Sequence, residues 1–320
     1  MKQSWRDRPE AAGAAVIRIS RRVVLVLGRS LSRALLLPAT LYFLIRRGPE
    51  RRASRSYLRR VLPRAVTLLD VARHFFVFSA TTLDRVYLLT ERFRRFSITV
   101  SGLEAVDHAL EKGRGLLLFG SHLGSFDALR VLSLERPDIM VRIVLDVEHN
   151  PGISDALNSL NPELAATIIN ARTAGPALAL AIREALDRNA IVALLVDRAR
   201  PGNAVQTARF LGSPAPFPQS PWLLAAALKT PVLLSFGLYR GGNRYDLHFE
   251  TFAPSLTIGR QARAQALAEL VQRYADRLAH YARLAPLNWF NFYDFWKLPD
   301  SGDGSCAPDG SGGVLRRGSL

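Results

Sequence analysis

The stretch that most constrains the fold is Leu116–Arg130, with the sequence LLLFGSHLGSFDALR. Four consecutive apolar residues, then Gly, His and Gly, and then an apolar helical pattern predict a buried strand, a tight turn and the start of a helix. Such a turn places His122 at the carboxyl end of a strand, which is the edge where open α/β sheets bind ligands. The stretch therefore predicts both an α/β fold and the position of a site.

His122 and Asp127 form an H-x-x-x-x-D pattern within this stretch. An imidazole titrates near neutrality, so it can take a proton from a hydroxyl group and give it back. A carboxylate on its other ring nitrogen fixes the tautomer and stabilises the imidazolium ion. We predict His122 as a general base and Asp127 as the acid that orients it. The alternative is that His122 caps a helix and Asp127 is a solvated helix residue.

Other kinds of catalytic site are disfavoured. Cys306 is the only cysteine and lies in a Gly/Ser-rich tail, which disfavours a thiol nucleophile and a cysteine-bound metal. The central residue of Gly120–Gly124 is His, where a nucleophile elbow needs Ser. The sequence has no H-E-x-x-H, P-loop or G-x-G-x-x-G pattern. We therefore expect no bound metal and no bound cofactor.

The formal net charge of +16 is concentrated near the amino terminus. Residues 1–64 hold 16 of the 43 Lys and Arg residues but only three of the 27 acidic residues. A nucleic-acid enzyme would usually spread basic residues around its groove. Here they flank residues 14–47, which form the most apolar N-terminal segment. This pairing predicts contact with anionic membrane lipids and no nucleic-acid partner.

Arginines interrupt this apolar segment. Its longest uncharged run, Ala34–Ile45, has 12 residues, whereas spanning a bilayer takes about 20. Extending the run back to Val23 includes Arg29 and Arg33. A tilted anchor and an amphipathic helix in the membrane interface both remain open, and a buried helix of a soluble domain is the alternative. We expect no cleaved signal peptide, and the dense arginines at 46–60 place that flank on the cytoplasmic side.

Strands and helices alternate after residue 65, which predicts an α/β fold. We expect a central mixed, mostly parallel sheet of about seven strands flanked by helices, together with an N-terminal membrane-associated helical segment. The predicted domains are a basic hydrophobic membrane-anchoring segment at 1–64, a folded domain at 65–298 and a disordered tail at 299–320. The predicted strands are 96–101, 116–120, 140–145, 166–169, 191–196, 231–238 and 245–249, and the predicted helices are 54–62, 68–89, 103–111, 175–188, 222–228 and 260–284.

Two arginines follow predicted strands. Arg172 comes after the strand at 166–169, and Arg198 after the strand at 191–196. Both are expected at the same rim of the sheet as His122. A guanidinium group there could hold a phosphate through two hydrogen bonds. The alternative for each arginine is a surface ion pair.

Two later segments are unusually apolar. Phe210–Pro221 is punctuated by Pro and Gly, and we predict a loop there. Asn288–Trp296 has six aromatic residues in nine positions. That density suggests an apolar lid, a contact for an acyl chain or a membrane-facing wedge, and the alternative is ordinary core packing.

These blocks together resemble the bacterial lipid A biosynthesis (lauroyl/myristoyl) acyltransferases, within the broader glycerolphosphate acyltransferase-like superfamily. The resemblance covers about residues 15–297. Besides the basic apolar N-terminal segment, it rests on GSHLGSFD at 120–127, the segment around Arg172, VDR at 196–198, FLGSPAPFP at 210–218, PVLL at 231–234 and WFNFYDFW at 289–296. The order and spacing of the blocks are more specific than the His and Asp pattern alone. The resemblance implies that residues 65–298 form an acyltransferase domain.

The resemblance also implies roles for individual residues. His122 matches the family's general base and Asp127 its orienting acid. Arg172 falls near a block linked to substrate phosphate or acyl binding, while Gly212 and Pro214 match a third block.

Three further substrate contacts are predicted from the residues themselves. Gly124 lies at the expected helix start, where backbone N–H groups could stabilise an oxyanion. Arg198 is a candidate to hold an anionic headgroup or the phosphopantetheine of the donor. Phe210 lies in the apolar loop that we expect to line an acyl groove.

The predicted function is membrane-associated O-acyl transfer at the cytoplasmic face of the cell inner membrane. The resemblance implies an acyl carrier protein or coenzyme A thioester as co-substrate and a lipid A-like or other glycolipid or lysolipid as acceptor. An acyl carrier protein and anionic membrane lipids are the expected partners. The alternatives are a non-catalytic membrane-surface protein and a membrane-associated glycosyltransferase. The latter needs an acidic metal or nucleotide site, for which Asp146–Glu148 is a poor candidate.

Overall fold

The structure is a computed structural model that describes residues 26–88, 94–129, 136, 138–146, 166–173, 175–199, 202–259 and 261–297. Its centre is a seven-stranded sheet in the order β1-β9-β8-β2-β5-β3-β4. Strands β8, β2, β5, β3 and β4 are mutually parallel, whereas β9 and β1 run in the opposite direction at one edge. The predicted mostly parallel sheet is therefore confirmed. The strands are β1 (Ser97–Ser101), β2 (Leu116–Gly120), β3 (Val141–Leu145), β4 (Ile168–Asn170), β5 (Ile191–Leu195), β8 (Val232–Tyr239) and β9 (Arg244–Ala253).

Helices pack on both faces of the sheet, which gives two apolar cores. Successive residues of a strand point to opposite faces. Accordingly, Leu117 and Phe119 of β2 belong to one core, and Leu116 and Leu118 to the other. This double burial explains why the sequence of β2 is continuously apolar. The helices are α1 (Leu36–Arg46), α2 (Gly48–Val61), α3 (Leu68–Leu88), α4 (Leu103–Leu110), α5 (Gly175–Asp187), α6 (Ser220–Leu228) and α7 (Arg263–Leu284).

A capping box fixes the start of α3. The Asp70 carboxylate accepts the backbone N–H of Thr67 at 2.9 Å, and the Thr67 hydroxyl accepts the N–H of Asp70 at 3.2 Å. Arg64 donates two further hydrogen bonds to the same carboxylate. The hydrogen bonds from Arg64 and Thr67 together lower the pKa of Asp70. These reciprocal bonds satisfy orphan groups of the first helical turn and set where α3 begins.

The segment predicted as a loop at Phe210–Pro221 is mostly regular structure, so that prediction is wrong. Strands β6 (Val205–Phe210) and β7 (Ser213–Pro218) form an antiparallel hairpin, and α6 begins at Ser220. Leu211 and Gly212 have φ angles of 48° and 87°, the left-handed conformation that both central residues of a tight type I′ turn require. The prolines on β7 explain why the sequence predicted a loop, because proline is uncommon within strands.

Most of the other predicted elements are confirmed to within a few residues. Two differ: the basic helix is longer than expected and spans Gly48–Val61, and the turn after His122 leads into a short 3₁₀ helix at Phe126–Leu129. Residues 130–135, which directly follow the 3₁₀ helix, and the tail at 299–320 lie outside the described residues.

Two arginines of the N-terminal apolar segment point into the protein. Residues 26–34 are helical and lead into α1. Arg29 donates two hydrogen bonds, at 2.7 and 2.8 Å, to Asp84 of α3, which is fully buried and also accepts the hydroxyl of Tyr245. Arg29 and Arg33 both contact the carbonyl of Gly242. The charges that interrupt the apolar run thus bind the folded domain.

The same helices also expose apolar side chains to solvent. Leu37, Leu41 and Ile45 lie one turn apart on α1 and are 62%, 56% and 64% exposed. Val26 and Leu31 extend the exposed apolar surface along residues 26–34. Across the part of the chain that the structure describes, no helix is both long and apolar enough to cross a bilayer.

The first prediction concerns Asp84. Replacing it by Asn leaves the partly buried Arg29 without its counter-charge, so we expect a loss of about 3–5 kcal/mol in the free energy of unfolding. Asp138→Asn is the matched control, because Asp138 is 62% exposed where it pairs with Arg136. Its effect should stay within about 0.5 kcal/mol. Urea unfolding measures both, and trypsin cleavage after Arg29 reports release of the helix. Equal unfolding midpoints for the two variants would contradict the prediction.

Candidate active site

The register of two neighbouring strands creates the site. Gly120 at the end of β2 pairs with Leu195 at the end of β5. The backbone N–H of Val196 donates to the carbonyl of Gly120 at 3.1 Å, so the pairing continues past the strand ends. His122 and Asp197 each lie two residues beyond the Gly120–Leu195 pair. Their side chains therefore meet at the carboxyl edge of the sheet.

His122 and Asp197 make two hydrogen bonds. Nδ1 of His122 lies 2.7 Å from Oδ1 of Asp197, and the backbone N–H of His122 donates to Oδ2 at 3.1 Å. The Asp197 side chain is fully buried, whereas the His122 side chain is 31% exposed. A neutral imidazole that donates from Nδ1 has an unprotonated Nε2. The ring is therefore anchored on one side and able to accept a proton at Nε2.

Electrostatics keep this histidine neutral. Burial and the positive charge of Arg198 lower the pKa of His122, with a smaller contribution from Arg85, and they outweigh the opposing effect of Asp197. Burial by itself would raise the pKa of Asp197. In the acidic range where this carboxyl group titrates, His122 is protonated, and its charge and hydrogen bonds, together with the charge of Arg198, lower the pKa of Asp197 to about 2. At neutral pH the pair is an uncharged base held by a carboxylate.

The acid at Nδ1 is not the one that we predicted from the sequence. Asp127 lies in the 3₁₀ helix after the turn, where its carboxylate accepts a hydrogen bond from Nε of Arg85 at 2.6 Å. This ion pair ties the 3₁₀ helix to α3. Asp197 occupies the position behind the ring that was expected for Asp127. The expectation assumed that the chain curls directly into an α-helix after His122, and it does not.

Gly124 is also used differently from our prediction. Its backbone N–H donates to the carbonyl of Asn288 at 2.8 Å, so it is already engaged and does not serve as the expected oxyanion donor. The residue has φ of +72°, and a Cβ there would lie 1.8 Å from the carbonyl oxygen of Gly237. Glycine is needed because two backbone segments touch at this point.

Arg198 and Arg172 both lie at the carboxyl edge, but at different distances from His122. Arg198 is next to Asp197, donates from Nη2 to the carbonyl of Phe290 at 2.7 Å, and lies with its guanidinium carbon 5.8 Å from the centre of the Tyr293 ring. Arg172 is exposed and follows β4, the edge strand, which β3 and β5 separate from β2. The structure therefore brings Arg198, but not Arg172, beside the histidine.

The three residues predicted from the 210–218 block have structural roles. Phe210 is fully buried, with its ring centre 5.0 Å from that of Trp289, so it does not line an open acyl groove. Gly212 forms the hairpin turn described above. Pro214 lies on β7 opposite Arg209 and is exposed.

The aromatic segment Asn288–Trp296 packs into the core, which is the alternative that the sequence left open. Trp289, Phe290, Tyr293 and Phe295 are all less than 9% exposed. The segment runs beside the turn after β2, where the backbone N–H of Phe290 donates to the carbonyl of His122 at 2.9 Å. It therefore supports the site from behind.

Sequence reasoning missed two residues of the site, Asp197 and Trp289. Nε1 of Trp289 donates to Oδ2 of Asp197 at 3.2 Å. Asp197 had a detectable signal, because it follows a predicted strand on the same rim as His122. Trp289 had no such signal, since its partner is 92 residues away in the sequence.

Two buried polar side chains next to this site have unmet hydrogen-bonding capacity. Asn291 follows Phe290, whose carbonyl binds Arg198, and both polar atoms of its amide are buried without a hydrogen-bond partner among the described residues. The hydroxyl of Ser125, next to Gly124, is likewise unpartnered. Buried polar groups without partners are uncommon in proteins and are compatible with a bound water or polar ligand. The described residues include no cluster of His, Cys, Asp or Glu that could hold a metal ion.

A strand-end histidine anchored to a buried carboxylate beside an arginine suits proton transfer to or from a bound hydroxyl group. Residues 78–298, more than two thirds of the chain, match the family model for bacterial lipid A biosynthesis acyltransferases. The match includes His122, Asp197, Arg198 and the aromatic segment. Comparison with curated proteins finds no match. The family is one of acyltransferases that act on lipid A-like acceptors, and this chain belongs to it.

Proposed function

We propose that the protein transfers a fatty acyl chain from an acyl carrier protein or coenzyme A thioester to a hydroxyl group of a lipid A-like, other glycolipid or lysolipid acceptor. His122 acts as the general base. The observation that carries the proposal is the 2.7 Å contact between Nδ1 of His122 and the buried Asp197, on a ring that remains partly exposed. Family membership supports the acyl group as the transferred group.

The proposed reaction needs one proton carrier. Nε2 of His122 takes the proton of the acceptor hydroxyl while its oxygen attacks the thioester carbonyl carbon. Asp197 stabilises the imidazolium ion that forms. The tetrahedral intermediate then collapses, the C–S bond breaks, and the imidazolium returns the proton to the leaving thiolate. Neither step changes an oxidation state, so the proposed reaction needs no redox cofactor. The thioester is consumed as a co-substrate.

Arginines at the carboxyl edge provide positive charge for anionic groups of the substrates. Arg198 is close enough to His122 to lower its pKa. It therefore also favours the negative charge that develops on the carbonyl oxygen as attack proceeds. Arg172 lies further along the same edge and is exposed. We assign to it a phosphate of the acceptor headgroup or of the donor's phosphopantetheine.

The N-terminal helices place the enzyme on the cytoplasmic surface of the inner membrane in this proposal. Their arginines at 29 and 33 bind the domain, and the exposed Leu37, Leu41 and Ile45 face outward. An apolar helix face flanked by basic residues binds an anionic lipid surface without spanning it. Interfacial binding would present the site to a lipid acceptor.

The second prediction tests the base and its acid. We expect His122→Gln and Asp197→Asn each to lower kcat/KM on the order of 10²–10⁴-fold, because the first removes the proton acceptor and the second removes the charge that orients it. Asp127→Asn should cost less, since that carboxylate binds Arg85. Release of free thiol from acyl carrier and coenzyme A thioesters, with mass spectrometry of the lipid product, measures all three.

His108→Gln is the matched control for the histidine variant, because the His108 side chain is 75% exposed and pairs with the exposed Glu111. Near-normal turnover by His122→Gln would remove the proposed base. A larger loss in Asp127→Asn than in Asp197→Asn would reject Asp197 as the orienting acid.

The third prediction concerns pH. The base must be uncharged to act, so kcat/KM should fall as the pH drops through the pKa of His122, which lies below the ordinary value of 6.5. Arg198→Gln removes a positive charge that lowers this pKa, whereas Asp197 and Arg85, whose contribution is smaller than that of Arg198, remain. We therefore expect the acidic limb of the pH profile to move to higher pH. An unchanged limb, or one at lower pH, would contradict the assignment.

The fourth prediction tests membrane binding. Leu41→Ser combined with Ile45→Ser removes two exposed apolar side chains, and we expect at least about tenfold weaker binding to phosphatidylglycerol-containing vesicles. Leu180→Ser combined with Leu284→Ser is the control, because these residues are 60% and 48% exposed on other elements. Vesicle co-sedimentation of the full chain measures both. Equal binding by the two double variants would reject the assigned surface.

A further inference from the structure

Trp289 donates a third N–H group to the buried carboxylate of Asp197. Its indole is fully buried, and Nε1–H donates at 3.2 Å to Oδ2 of Asp197, the same oxygen that accepts the backbone N–H of His122. The buried carboxylate thus receives three N–H groups, two from His122 and one from Trp289. An ionised carboxylate buried away from water is stabilised by such donors.

The backbone of Trp289 is held in turn by a buried histidine. Nε2 of His74, on α3, lies 3.0 Å from the carbonyl oxygen of Trp289, and Nδ1 lies 2.8 Å from the hydroxyl of Ser54 on α2. The carbonyl can only accept, so Nε2 carries the proton, and Nδ1 accepts the Ser54 hydroxyl. Burial lowers the pKa of His74 to about 4. The imidazole is therefore neutral and holds this single tautomer at physiological pH.

Ring packing fixes the orientation of the indole. The centre of the Trp289 ring lies 5.1 Å from that of Tyr57 on α2, 5.0 Å from that of Phe210 on β6 and 4.7 Å from that of Phe295. A rigid indole has little freedom to turn its N–H away from Asp197. Donated hydrogen bonds lead from Ser54 through His74 and Trp289 to Asp197, and this carboxylate also accepts the Nδ1–H of His122.

We propose that Trp289 is a positioning residue for the catalytic histidine, and that His74 and Ser54 hold Trp289 in place from the N-terminal helices. The inference rests on the proposed function and assigns to helices α2 and α3 a part in supporting catalysis. Trp289 touches no substrate in this assignment. It acts by fixing the Asp197 carboxylate, which in turn fixes the His122 ring with Nε2 unprotonated.

Removing the indole N–H has a definite electrostatic consequence. Asp197 would keep its contacts with His122 but lose a donor that shares its negative charge. The carboxylate would then stabilise the imidazolium more strongly, so the pKa of His122 rises. Arg198 and Arg85 also act on His122 and are unchanged. Catalysis slows because the carboxylate and the ring are less well oriented.

The experiment compares Trp289→Phe with Trp222→Phe. Trp222 is a matched control, since it is also fully buried but its Nε1 has no hydrogen-bond partner in the part of the chain that the structure describes. We expect Trp289→Phe to lower kcat about tenfold, because the variant loses one hydrogen bond to a charged group. KM should change less than twofold. The acidic limb of the pH profile of Trp289→Phe should move to higher pH. Trp222→Phe should leave both kcat and the acidic limb of the pH profile unchanged.

NMR titration of the His122 ring supplies a readout that does not depend on turnover, with His122→Gln identifying its signal. The pKa of His122 should rise in Trp289→Phe and stay constant in Trp222→Phe. If no thioester is consumed by the wild-type protein, the proposed function fails, while the titration still tests the positioning role. Equal pKa values in the two tryptophan variants would overturn the inference.

The other members of the chain of hydrogen bonds are tested by conservative replacements. His74→Gln keeps an N–H donor for the Trp289 carbonyl, so it should retain more activity than His74→Phe. Ser54→Ala removes the donor to His74 and should lower kcat, whereas Ser32→Ala removes a buried hydroxyl that has no partner. Equal activity in both members of each pair would reject the roles of His74 and Ser54.

Should Trp289→Phe fail to fold, site-specific replacement of Trp289 by benzothienylalanine keeps the bicyclic shape and removes only the N–H group. The same fall in kcat and the same rise in the pKa of His122 are then expected. Wild-type values for both quantities in this protein would overturn the inference.

Discussion

The contact between His122 and Asp197 depends on the register of two parallel strands. Pairing of Gly120 with Leu195 puts the two side chains opposite each other just past the strand ends. A shift of one residue in either strand would turn one side chain to the other face of the sheet. The apolar side chains of β2 and β5, buried on both faces, therefore do more than form a core. They fix the register that brings an acid and a base together across 75 residues of sequence.

A buried carboxylate is costly unless its charge is compensated. Asp197 receives the Nδ1–H and backbone N–H of His122 and the indole N–H of Trp289, with Arg198 nearby. The compensation comes from neutral donors and a nearby cation, so His122 itself does not need to be protonated. Arg198 lowers the pKa of His122. The same charge that helps to keep Asp197 ionised therefore also helps to keep Nε2 of His122 unprotonated. Stability of the pair and readiness for proton transfer are thus compatible.

The sequence predicted the strands, their burial and His122 because these depend on local apolar patterns. It did not predict Asp197 as the partner, because strand order is a property of the folded sheet and Asp127 was nearer in sequence. The hairpin at 205–218 was missed for a local reason. Pro214, Pro216 and Pro218 occupy alternate positions of β7. Arg209, opposite Pro214, directs its own N–H and carbonyl to Gln272, so this pair needs no proline N–H.

The aromatic segment after α7 could have been a lid or a core element, and its composition does not distinguish them. The segment is part of the core because other elements pack against its rings. These elements are α2, α3 and the β6–β7 hairpin, which contact it through Tyr57, His74 and Phe210. Helix α1 packs against α2 and α3, and these two helices contact the aromatic segment, so the described N-terminal helices and the aromatic segment meet behind His122. A change that loosens the N-terminal helices therefore acts on the site through Trp289, even where no substrate is touched. Helices α2 and α3 therefore support the site as well as forming part of the core.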